Sequence, residues 1–350
     1  MRRPPLFLLP LLCLGVRAFA LNDWTLIKHE GRDYVTLDNV AKFYQFGATQ
    51  RAGNSFVLRT GARSLRGQAG SPEFYINGLK FNLSYPLAES GGHAIISRMD
   101  LTKLLEPVLR PSRIPSAGKI DTVVLDPGHG GHDNGAASIY GNEKNFALDV
   151  SLRARDLLRA AGYKVYMTRS TDLFIPLEER TRFASRFQNA LFIAVHFNSS
   201  GNAATGVETY TLAPRGVPSM ASDGPALSDF VPCPGNTRDA ENIALACATH
   251  ASLVHSSGMY DRGIKRARFV VIRDITIPGV LIEGGFLSNT LDACRIATAA
   301  YRQQMATSIL QAVQNYRNAV GPRPPSPVVA NAPDAIQTTP VVMTPTTARE

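Results

Sequence analysis

The 350-residue sequence is poor in cysteine and tryptophan, with four cysteines and one tryptophan. Cys13 lies in a leader-like stretch at the amino terminus, which leaves Cys233, Cys247 and Cys294. An odd number of widely spaced cysteines does not indicate a disulfide framework, and without a CxxC pair there is no sign of a thiolate metal site. The sequence also lacks an HExxH motif, which excludes the metalloproteases that carry that signature.

Apolar runs long enough to span a bilayer are missing as well. The apolar run at residues 6–16 is about half of the ~20 residues that a spanning helix needs. It follows two arginines and precedes the small residues of AFA at 18–20. This pattern predicts a secretory signal peptide, residues 1–20, cut after Ala20. We therefore expect an exported protein of the periplasm or the extracellular cell wall, and not a membrane-spanning one.

The charge of the chain is mildly basic. Loss of the signal peptide removes Arg2, Arg3 and Arg17 and lowers the formal net charge from +9 to +6. A basic exported protein favours anionic surfaces such as a cell wall. Because the sequence has no dense run of lysine and arginine and no basic–aromatic pattern, we expect no nucleic-acid partner.

Composition and periodicity divide the chain into four parts after the signal peptide. Residues 22–110 are predicted to form a small α+β module, and residues 111–118 a linker rich in proline and serine. Residues 119–320 are predicted to form a larger domain. The tail, residues 321–350, is rich in proline and threonine without helical or strand periodicity, and is predicted to be disordered.

The small module shows hairpin and helix signals. Asn77-Gly78 lies between two β-rich runs and predicts a two-residue hairpin turn. Two amphipathic stretches predict short helices, capped by Asp38 and by Ser97 or Asp100. With its DYVTLDNVA, Asn-Gly hairpin and HAIISRMDLTKLL, the module resembles the copper amine oxidase N-terminal-like domain of exported bacterial proteins. That resemblance does not imply copper, because no histidines cluster here.

Strand and helix patterns alternate along the larger domain. The predicted strands are Thr122–Leu125, Lys164–Thr168, Leu191–Val195, Val207–Thr211, Phe269–Ile272 and Val280–Ile282. The predicted helices are Glu143–Ala161, Leu177–Gln188, Ala240–Ser256 and Leu291–Ala319. Such alternation predicts an α/β fold with a mostly parallel twisted sheet and helices on both faces.

Four ionisable residues are predicted to meet at one edge of this sheet, where open α/β sheets bind ligands. His129 follows the first strand, His196 follows the third and Glu283 ends the last, while Glu143 begins the helix entered from the glycine-rich loop. Three of them have an ordinary explanation when taken alone: a histidine after a strand usually caps or packs, and a glutamate at a helix start interacts with the helix dipole. A glutamate that closes a buried strand, as Glu283 does, is already unusual, because an unpaired buried carboxylate is costly. Their convergence favours a functional site.

The chemistry of this set fits a catalytic metal. Two imidazoles and a carboxylate suit zinc, which in catalytic sites keeps one position open for water. A second carboxylate beside that water acts first as a base and then as an acid.

Seven stretches of residues 120–316 match a known family in the same order: VVLDPGHGGHDNGA, NEKNFALDVSLRARDLL, GYKVYMTRSTD, IPLEERTRFA, LFIAVHFNSS, GVETYTL and DRGIKRARFVVIRDITIPGVLIEGGFLSN. With them the domain resembles the zinc-dependent N-acetylmuramoyl-L-alanine amidases of the type 3 family. The resemblance implies a hydrolase that cuts the amide between N-acetylmuramic acid and L-alanine of peptidoglycan.

The resemblance also assigns roles to the four residues. It implies that His129, Glu143 and His196 bind Zn²⁺ and that Glu283 is the catalytic carboxylate. Glu208 is expected to contact these residues rather than the metal itself, and His132 is not included in the site. No further cofactor is implied, and we expect a monomer.

One segment departs from the family pattern. Some members carry a helix after the GVETYTL stretch that plugs the zinc until an activator protein removes it. Here residues 213–239 contain five prolines, and proline at that density excludes a long helix. We expect an irregular loop beside His196 and Glu208 rather than a helical plug.

Two other functions remain open at this point. Another zinc-dependent wall hydrolase, a peptidase or a deacetylase, would use the same ligands, because ligands do not define the acyl group. A catalytically dead peptidoglycan-binding protein would normally have lost Glu283 or a ligand, and all four residues are present.

Overall fold

The computed structural model describes residues 24–115, 117–222 and 224–321. The predicted signal peptide and all of the predicted tail after Gly321 lie outside the described residues. No helix within those ranges has the length and apolar character to cross a membrane.

The amino-terminal module is built mainly from short antiparallel strands. The predicted hairpin is confirmed, because Asn77 and Gly78 have positive φ angles of 54° and 84° between two paired strands, as a type I′ turn requires. The elements, in chain order, are β1 (Leu26–His29), β2 (Arg32–Thr36), α1 (Leu37–Tyr44), β3 (Gln50–Ala52), β4 (Ser55–Thr60), β5 (Arg63–Gln68), β6 (Glu73–Ile76), β7 (Leu79–Asn82), β8 (Ala88–Ser90), β9 (His93–Ser97), α2 (Arg98–Asp100) and α3 (Glu106–Leu109).

The two predicted helices of the module begin at hydroxyl caps. Thr36 accepts a hydrogen bond from the backbone N–H of Asn39, so the prediction that Asp38 caps α1 is wrong by two residues. Ser97 caps α2 by accepting from the backbone N–H of Asp100, as predicted. A π-helical segment, Leu101–Leu105, joins α2 to α3.

Strands and helices alternate through the larger domain. A 3₁₀ turn, Pro111–Arg113, precedes it. Its elements are β10 (Thr122–Pro127), β11 (Ala137–Ser138), β12 (Gly141–Asn142), α4 (Glu143–Ala160), β13 (Lys164–Met167), α5 (Leu177–Ala184), β14 (Ala190–Asn198), β15 (Val207–Leu212), α6 (Asp239–Ser257), β16 (Asp261–Ala267), α7 (Val270–Arg273), β17 (Gly279–Phe286), α8 (Thr290–Ile296) and α9 (Ala299–Val320).

Two predicted elements of this domain are wrong. The run Phe269–Ile272 is not a strand: Val270–Arg273 forms the short helix α7, and the strand is the preceding Asp261–Ala267. The strand was not predicted because its segment is rich in charged residues. In the fold, these side chains find partners, such as Glu208 for Lys265. The predicted helix Leu291–Ala319 is two helices, since Thr298 caps a new one by accepting from the N–H of Tyr301.

A mixed sheet with helices on both faces forms the centre of the domain, which confirms the predicted fold class. Strands β13, β10, β14 and β17 are parallel, while β15 runs antiparallel to β17. Helices α4, α6 and α9 pack in the large apolar core on one face, and α5 and α7 contribute to a smaller cluster on the other.

The antiparallel direction of β15 moves the proline-containing segment away from the predicted place. Glu208, at the start of β15, pairs with Glu283. The strand then runs four residues away from Glu283, so its end at Leu212 lies roughly 13 Å from that pair, towards the opposite edge of the sheet. Residues 213–239 follow from there, and Arg238 donates to the carbonyl of Thr276, just before β17 begins. The described residues of this segment, 213–222 and 224–239, are irregular apart from two short 3₁₀ turns, but the prediction that the segment lies beside His196 and Glu208 is wrong.

The amino-terminal module extends the sheet of the larger domain. Among the described residues, one eleven-stranded sheet runs in the order β13-β10-β14-β17-β15-β16-β7-β6-β5-β4-β3. At the junction, Ile264 of β16 pairs with Phe81 of β7, the N–H of Lys80 donates to Asp261, and the amide of Asn82 donates to the carbonyl of Ile264. The division into residues 22–110, 111–118 and 119–320 remains a prediction.

Removal of the module is expected to destabilise the domain. A chain that begins at Lys119 leaves β16 as an open edge and uncovers Arg266, a buried side chain that donates to the carbonyl of Lys103. Each lost hydrogen bond costs about 1 kcal/mol, so we expect the thermal midpoint to fall by roughly 5–10 °C. Calorimetry of both chains measures this, and equal midpoints would contradict the structural role of the junction.

Candidate active site

One row of paired residues crosses the sheet at the predicted functional edge. His196 on β14 is the register partner of Glu283 on β17, and Glu283 is the partner of Glu208 on β15. Their neighbours Val195 and Ile282 are buried in the large core. Because side chains alternate along a strand, the three functional side chains point to the other face of the sheet.

Backbone conformation brings His129 to this row. His129 has φ +58°, a left-handed conformation that a non-glycine residue rarely adopts and that is common at functional sites. The preceding Gly128 allows the imidazole of His196 to lie against the chain, because a Cβ there would be 2.3 Å from that ring. Similarly, a Cβ at Gly135 would lie 2.5 Å from the carboxylate of Glu143. The glycines therefore make room for the side chains of His196 and Glu143.

The structure brings His129, Glu143 and His196 into one cluster. One ligand atom from each residue lies within 4.8 Å of the others. Glu143 joins the two rings: its Oε2 is 3.0 Å from Nε2 of His129, and its Oε1 is 2.9 Å from Nδ1 of His196. On the far side of His129, Nδ1 is 2.8 Å from Asp133, which fixes the ring orientation. Two nitrogens and one oxygen so arranged form a group that can hold a metal ion.

The electrostatic state of Glu143 suits a cation. Burial opposes its ionisation, but the hydrogen bonds with His129 and His196 outweigh burial and hold the pKa of Glu143 below its usual range. The carboxylate also accepts from the backbone N–H groups of Ala136 and Phe197. Glu143 is therefore a buried, ionised carboxylate in a fixed orientation.

Glu283 is held in the opposite electrostatic state. Burial raises the pKa of Glu283 well above its usual value, the negative charges of Glu143 and Glu208 raise it further, and Lys265 opposes them. Its Oε2 atom is inaccessible to solvent and has no hydrogen-bond partner among the described residues. A carboxyl group with an unpartnered oxygen and a raised pKa has the properties of a general base or acid.

Glu208 lies beside Glu283 within a closed polar network. Its buried carboxylate accepts from Arg262, from Lys265 at 2.8 Å and from the hydroxyl of Tyr210 at 2.8 Å. These hydrogen bonds engage both carboxylate oxygens of Glu208. Of the two paired carboxyl groups, Glu283 is therefore the one with an oxygen free to react. Sequence reasoning expected a supporting role for Glu208 but did not find its partners.

Two buried arginines that sequence reasoning missed hold the loop of His129. Arg169 donates to the carbonyls of Pro127 and Gly128. Arg180 donates to Asp126 and to the carbonyl of His129, at 2.8 and 2.7 Å. Both lie in stretches that match the amidase family, GYKVYMTRSTD and IPLEERTRFA, but nothing in their local pattern shows which groups they bind.

Replacing Arg180 by lysine is expected to weaken metal binding. A lysine keeps the charge but cannot reach Asp126 and the backbone carbonyls of Pro127 and His129 together, so the loop that carries His129 loses its support. Groups that orient a metal ligand are commonly worth about 10–100-fold in affinity, and we expect a loss in that range, measured by competition with a chelator. Arg182→Lys, on the exposed face of the same helix, is the matched control.

A change of the same size in the Arg182→Lys variant would contradict this role of Arg180.

His132 lies outside the site. It is exposed, its ring centre lies 4.2 Å from that of Phe174, and it is not part of the metal-binding group. This position agrees with the prediction that His132 is not a site residue.

A family model described as N-acetylmuramoyl-L-alanine amidase matches residues 123–315. The chain belongs to this amidase family. Membership makes it a hydrolase that cleaves the amide bond between N-acetylmuramic acid and L-alanine. The matched residues start beyond the amino-terminal module, so the resemblance of that module to the copper amine oxidase N-terminal-like domain remains a prediction.

The amidase is similar to curated and solved proteins over more than half of its length. The uncharacterized protein YqiI of Bacillus subtilis (strain 168) is 36% identical over 203 residues, which are 58% of this chain and 86% of YqiI. The amidase AmiA of Escherichia coli (strain K12) is 31% identical over 255 residues, 66% of this chain and 87% of AmiA. The catalytic domain of the amidase CwlV of Bacillus (Paenibacillus) polymyxa var. colistinus is 29% identical, with a TM-score of 0.48 over 57% of this chain and 99% of that one.

Proposed function

We propose that the amidase is a zinc enzyme in which His129, Glu143 and His196 hold the ion and Glu283 moves the proton. The observation that carries this proposal is the cluster of three ligand atoms within 4.8 Å, beside a carboxyl oxygen of Glu283 that has no partner in the described part of the chain. The donor set of two imidazoles and a carboxylate is one that catalytic zinc sites use. Three protein ligands also leave a coordination position for the reaction.

The proposed chemistry divides between the ion and Glu283. When bound, zinc polarises the carbonyl of the muramoyl amide and lowers the pKa of water, as it does in other hydrolases. Glu283 accepts the proton of the attacking water and then donates it to the nitrogen of the leaving L-alanine. The C–N bond breaks, the muramic acid keeps a carboxylate, and the stem peptide leaves with a free amine.

The other residues of the site keep these groups in place. Asp133 holds the Nδ1 side of His129, so Nε2 remains directed at the cluster. Arg262, Lys265 and Tyr210 donate hydrogen bonds to the carboxylate of Glu208. These bonds stabilise its ionised form, so Glu208 does not take up the proton that Glu283 transfers. Catalysis begins with ionised Glu283, and a bound dication opposes the rise in pKa that burial causes.

The proposed substrate is peptidoglycan, which the enzyme would meet in the periplasm or the extracellular wall after export. The predicted signal peptide supports export, and the basic net charge favours an anionic wall. An activator that removes a plug from the zinc has no target in residues 213–222 and 224–239, because these lie at the other edge of the sheet. If an activator acts on this amidase, we expect it to bind a different surface.

Metal removal and restoration test the proposal. The purified full-length chain is dialysed against a chelator, and metal content is measured by elemental analysis beside cleavage of a soluble disaccharide-peptide. We expect about one zinc per active chain, loss of turnover with loss of the ion, and recovery when one equivalent of Zn²⁺ returns. Full turnover by a chain free of metal would overturn the proposal.

A further inference from the structure

The residue row of the active site continues into the amino-terminal module. On the catalytic side, the row runs from His196 through Glu283 to Glu208. Across the junction, pairing of Ile264 with Phe81 places Lys80 beside Gly263, where a Cβ on the glycine would lie 3.0 Å from the lysine side chain.

Within the module, the same row follows the register from strand to strand. Lys80 on β7 pairs with Tyr75 on β6, Tyr75 with Arg66 on β5, and Arg66 with Val57 on β4. At about 4.8 Å per strand, Lys80 lies roughly 14 Å from Glu283 and Arg66 roughly 24 Å from it. These separations are short enough for one polymeric substrate to reach both places.

These module residues lie on the same face of the sheet as the catalytic residues. Phe81, Phe74 and Leu65 are buried in the large core, as are Val195 and Ile282 on the catalytic strands. Residues between them in sequence therefore point to the opposite face on all of these strands. Twist of roughly 20–25° per strand turns this face progressively, but it stays continuous.

The module part of the face is open to solvent and carries positive charge. Arg59 and Arg66 are exposed, and neither has a carboxylate partner among the residues that the structure describes. The guanidinium of Arg66 lies over the ring of Tyr75, 4.0 Å from the ring centre, and this contact holds it at the surface of the sheet. Lys80, on the same face, is paired with Glu73, which leaves Arg59 and Arg66 as cations of this face without a carboxylate partner in the described ranges.

An exposed guanidinium that is held by a ring contact and has no carboxylate partner can bind a carboxylate, because its paired N–H groups match the two oxygens. Peptidoglycan supplies this chemistry: every stem peptide without a cross-link ends in a carboxylate. The amide that the enzyme cuts and the carboxylates of neighbouring stem peptides belong to one polymer.

We propose that the uncovered face of β4, β5 and β6, with Arg59 and Arg66 as its anchors, binds stem-peptide carboxylates of the same peptidoglycan strand that lies in the active site. This inference rests on the proposed function. It makes the module an extension of the substrate-binding surface, and it makes polymeric wall, rather than a single released unit, the preferred substrate.

Paired variants of the full-length zinc enzyme test the proposal. In R59Q/R66Q two charges are removed from the face. In the control R186Q/R317Q two exposed arginines are removed elsewhere, of which Arg317 also lies over a tyrosine ring, 5.3 Å from the ring centre of Tyr163. Binding to purified sacculi is measured by co-sedimentation at several salt concentrations, and cleavage is measured on sacculi and on a soluble disaccharide-peptide.

We expect R59Q/R66Q to bind sacculi about three- to tenfold more weakly than the control pair, because each exposed ion pair contributes little and two are lost. The deficit should shrink at high salt and be larger on sacculi than on the soluble substrate. Amidation of the sacculus carboxylates with carbodiimide and ammonia should remove the difference between the two pairs.

Equal binding of sacculi by R59Q/R66Q and the control pair would overturn this inference alone, provided that wild type cleaves the soluble substrate. A difference that survives amidation would also overturn it, because the anion would then not be a carboxylate. If wild type with zinc leaves the soluble substrate intact, the proposed function fails and this inference fails with it.

Discussion

Replacing Glu283 by glutamine is expected to lower kcat by about 10²–10⁴-fold, the usual contribution of a general acid–base group. Glutamine keeps the shape of the side chain and its ability to hydrogen-bond water, but it cannot accept a proton. Because Glu283 is not among the three proposed ligands, zinc should stay near one per chain. Single-turnover kinetics and elemental analysis on the same preparation measure both quantities.

Glu179→Gln is the matched control for this variant, because Glu179 is an exposed glutamate on α5. It should keep both turnover and zinc. Loss of zinc in Glu283→Gln would make Glu283 a ligand and require another residue as the base. Near-normal turnover with zinc retained would contradict the proposed proton transfer.

Replacing His129 or His196 by alanine is expected to abolish activity by removing the metal. Each change takes away one of three protein ligands, so the ion is lost and turnover is lost with it. The effect should be at least as large as that of Glu283→Gln but of a different kind, because here the zinc content falls as well.

His132→Ala controls for the loss of a histidine from the same loop, since His132 is exposed and outside the metal-binding group. We expect it to retain zinc and most of the activity. Full zinc occupancy in folded His129→Ala or His196→Ala, verified by circular dichroism, would exclude the proposed ligand set.

The four principal site residues could be predicted because each lies near the carboxyl end of a strand or at the start of a helix. For His129, His196 and Glu143 the local pattern alone placed the residue at one edge of a parallel sheet. Glu283 ends an apolar strand in the same direction, and the structure brings it into register with His196.

Strand direction could not be predicted in the same way. Alternation and β-branched residues marked β15 as a strand, but they carry no information on whether it runs parallel or antiparallel to β17. The position of residues 213–239 depends on that direction, and so the segment was expected at the wrong edge. The strand β16 was missed because its charged side chains find partners only in the folded chain, such as Glu208 for Lys265.

Long-range polar contacts were also beyond the sequence. Arg180 binds groups more than fifty residues earlier in the chain, and no periodicity encodes such a contact. The pairing of β7 with β16, which joins the module to the catalytic sheet, rests on one register pair and two side-chain hydrogen bonds. Composition alone predicts that the two regions are separate domains, because residues 111–118 between them are rich in proline and serine.

The identity of the bond that is cut tests the central claim most directly. Purified sacculi and a defined disaccharide-peptide are digested with the zinc-loaded enzyme, with its Glu283→Gln variant and in the presence of a chelator, and the products are analysed by mass spectrometry. The account predicts intact N-acetylated sugars with a free muramoyl carboxylate, stem peptides that begin with the free amine of L-alanine, and almost no product with the variant or the chelator. Cleavage within the stem peptide, or loss of acetyl groups from the sugar, would contradict it.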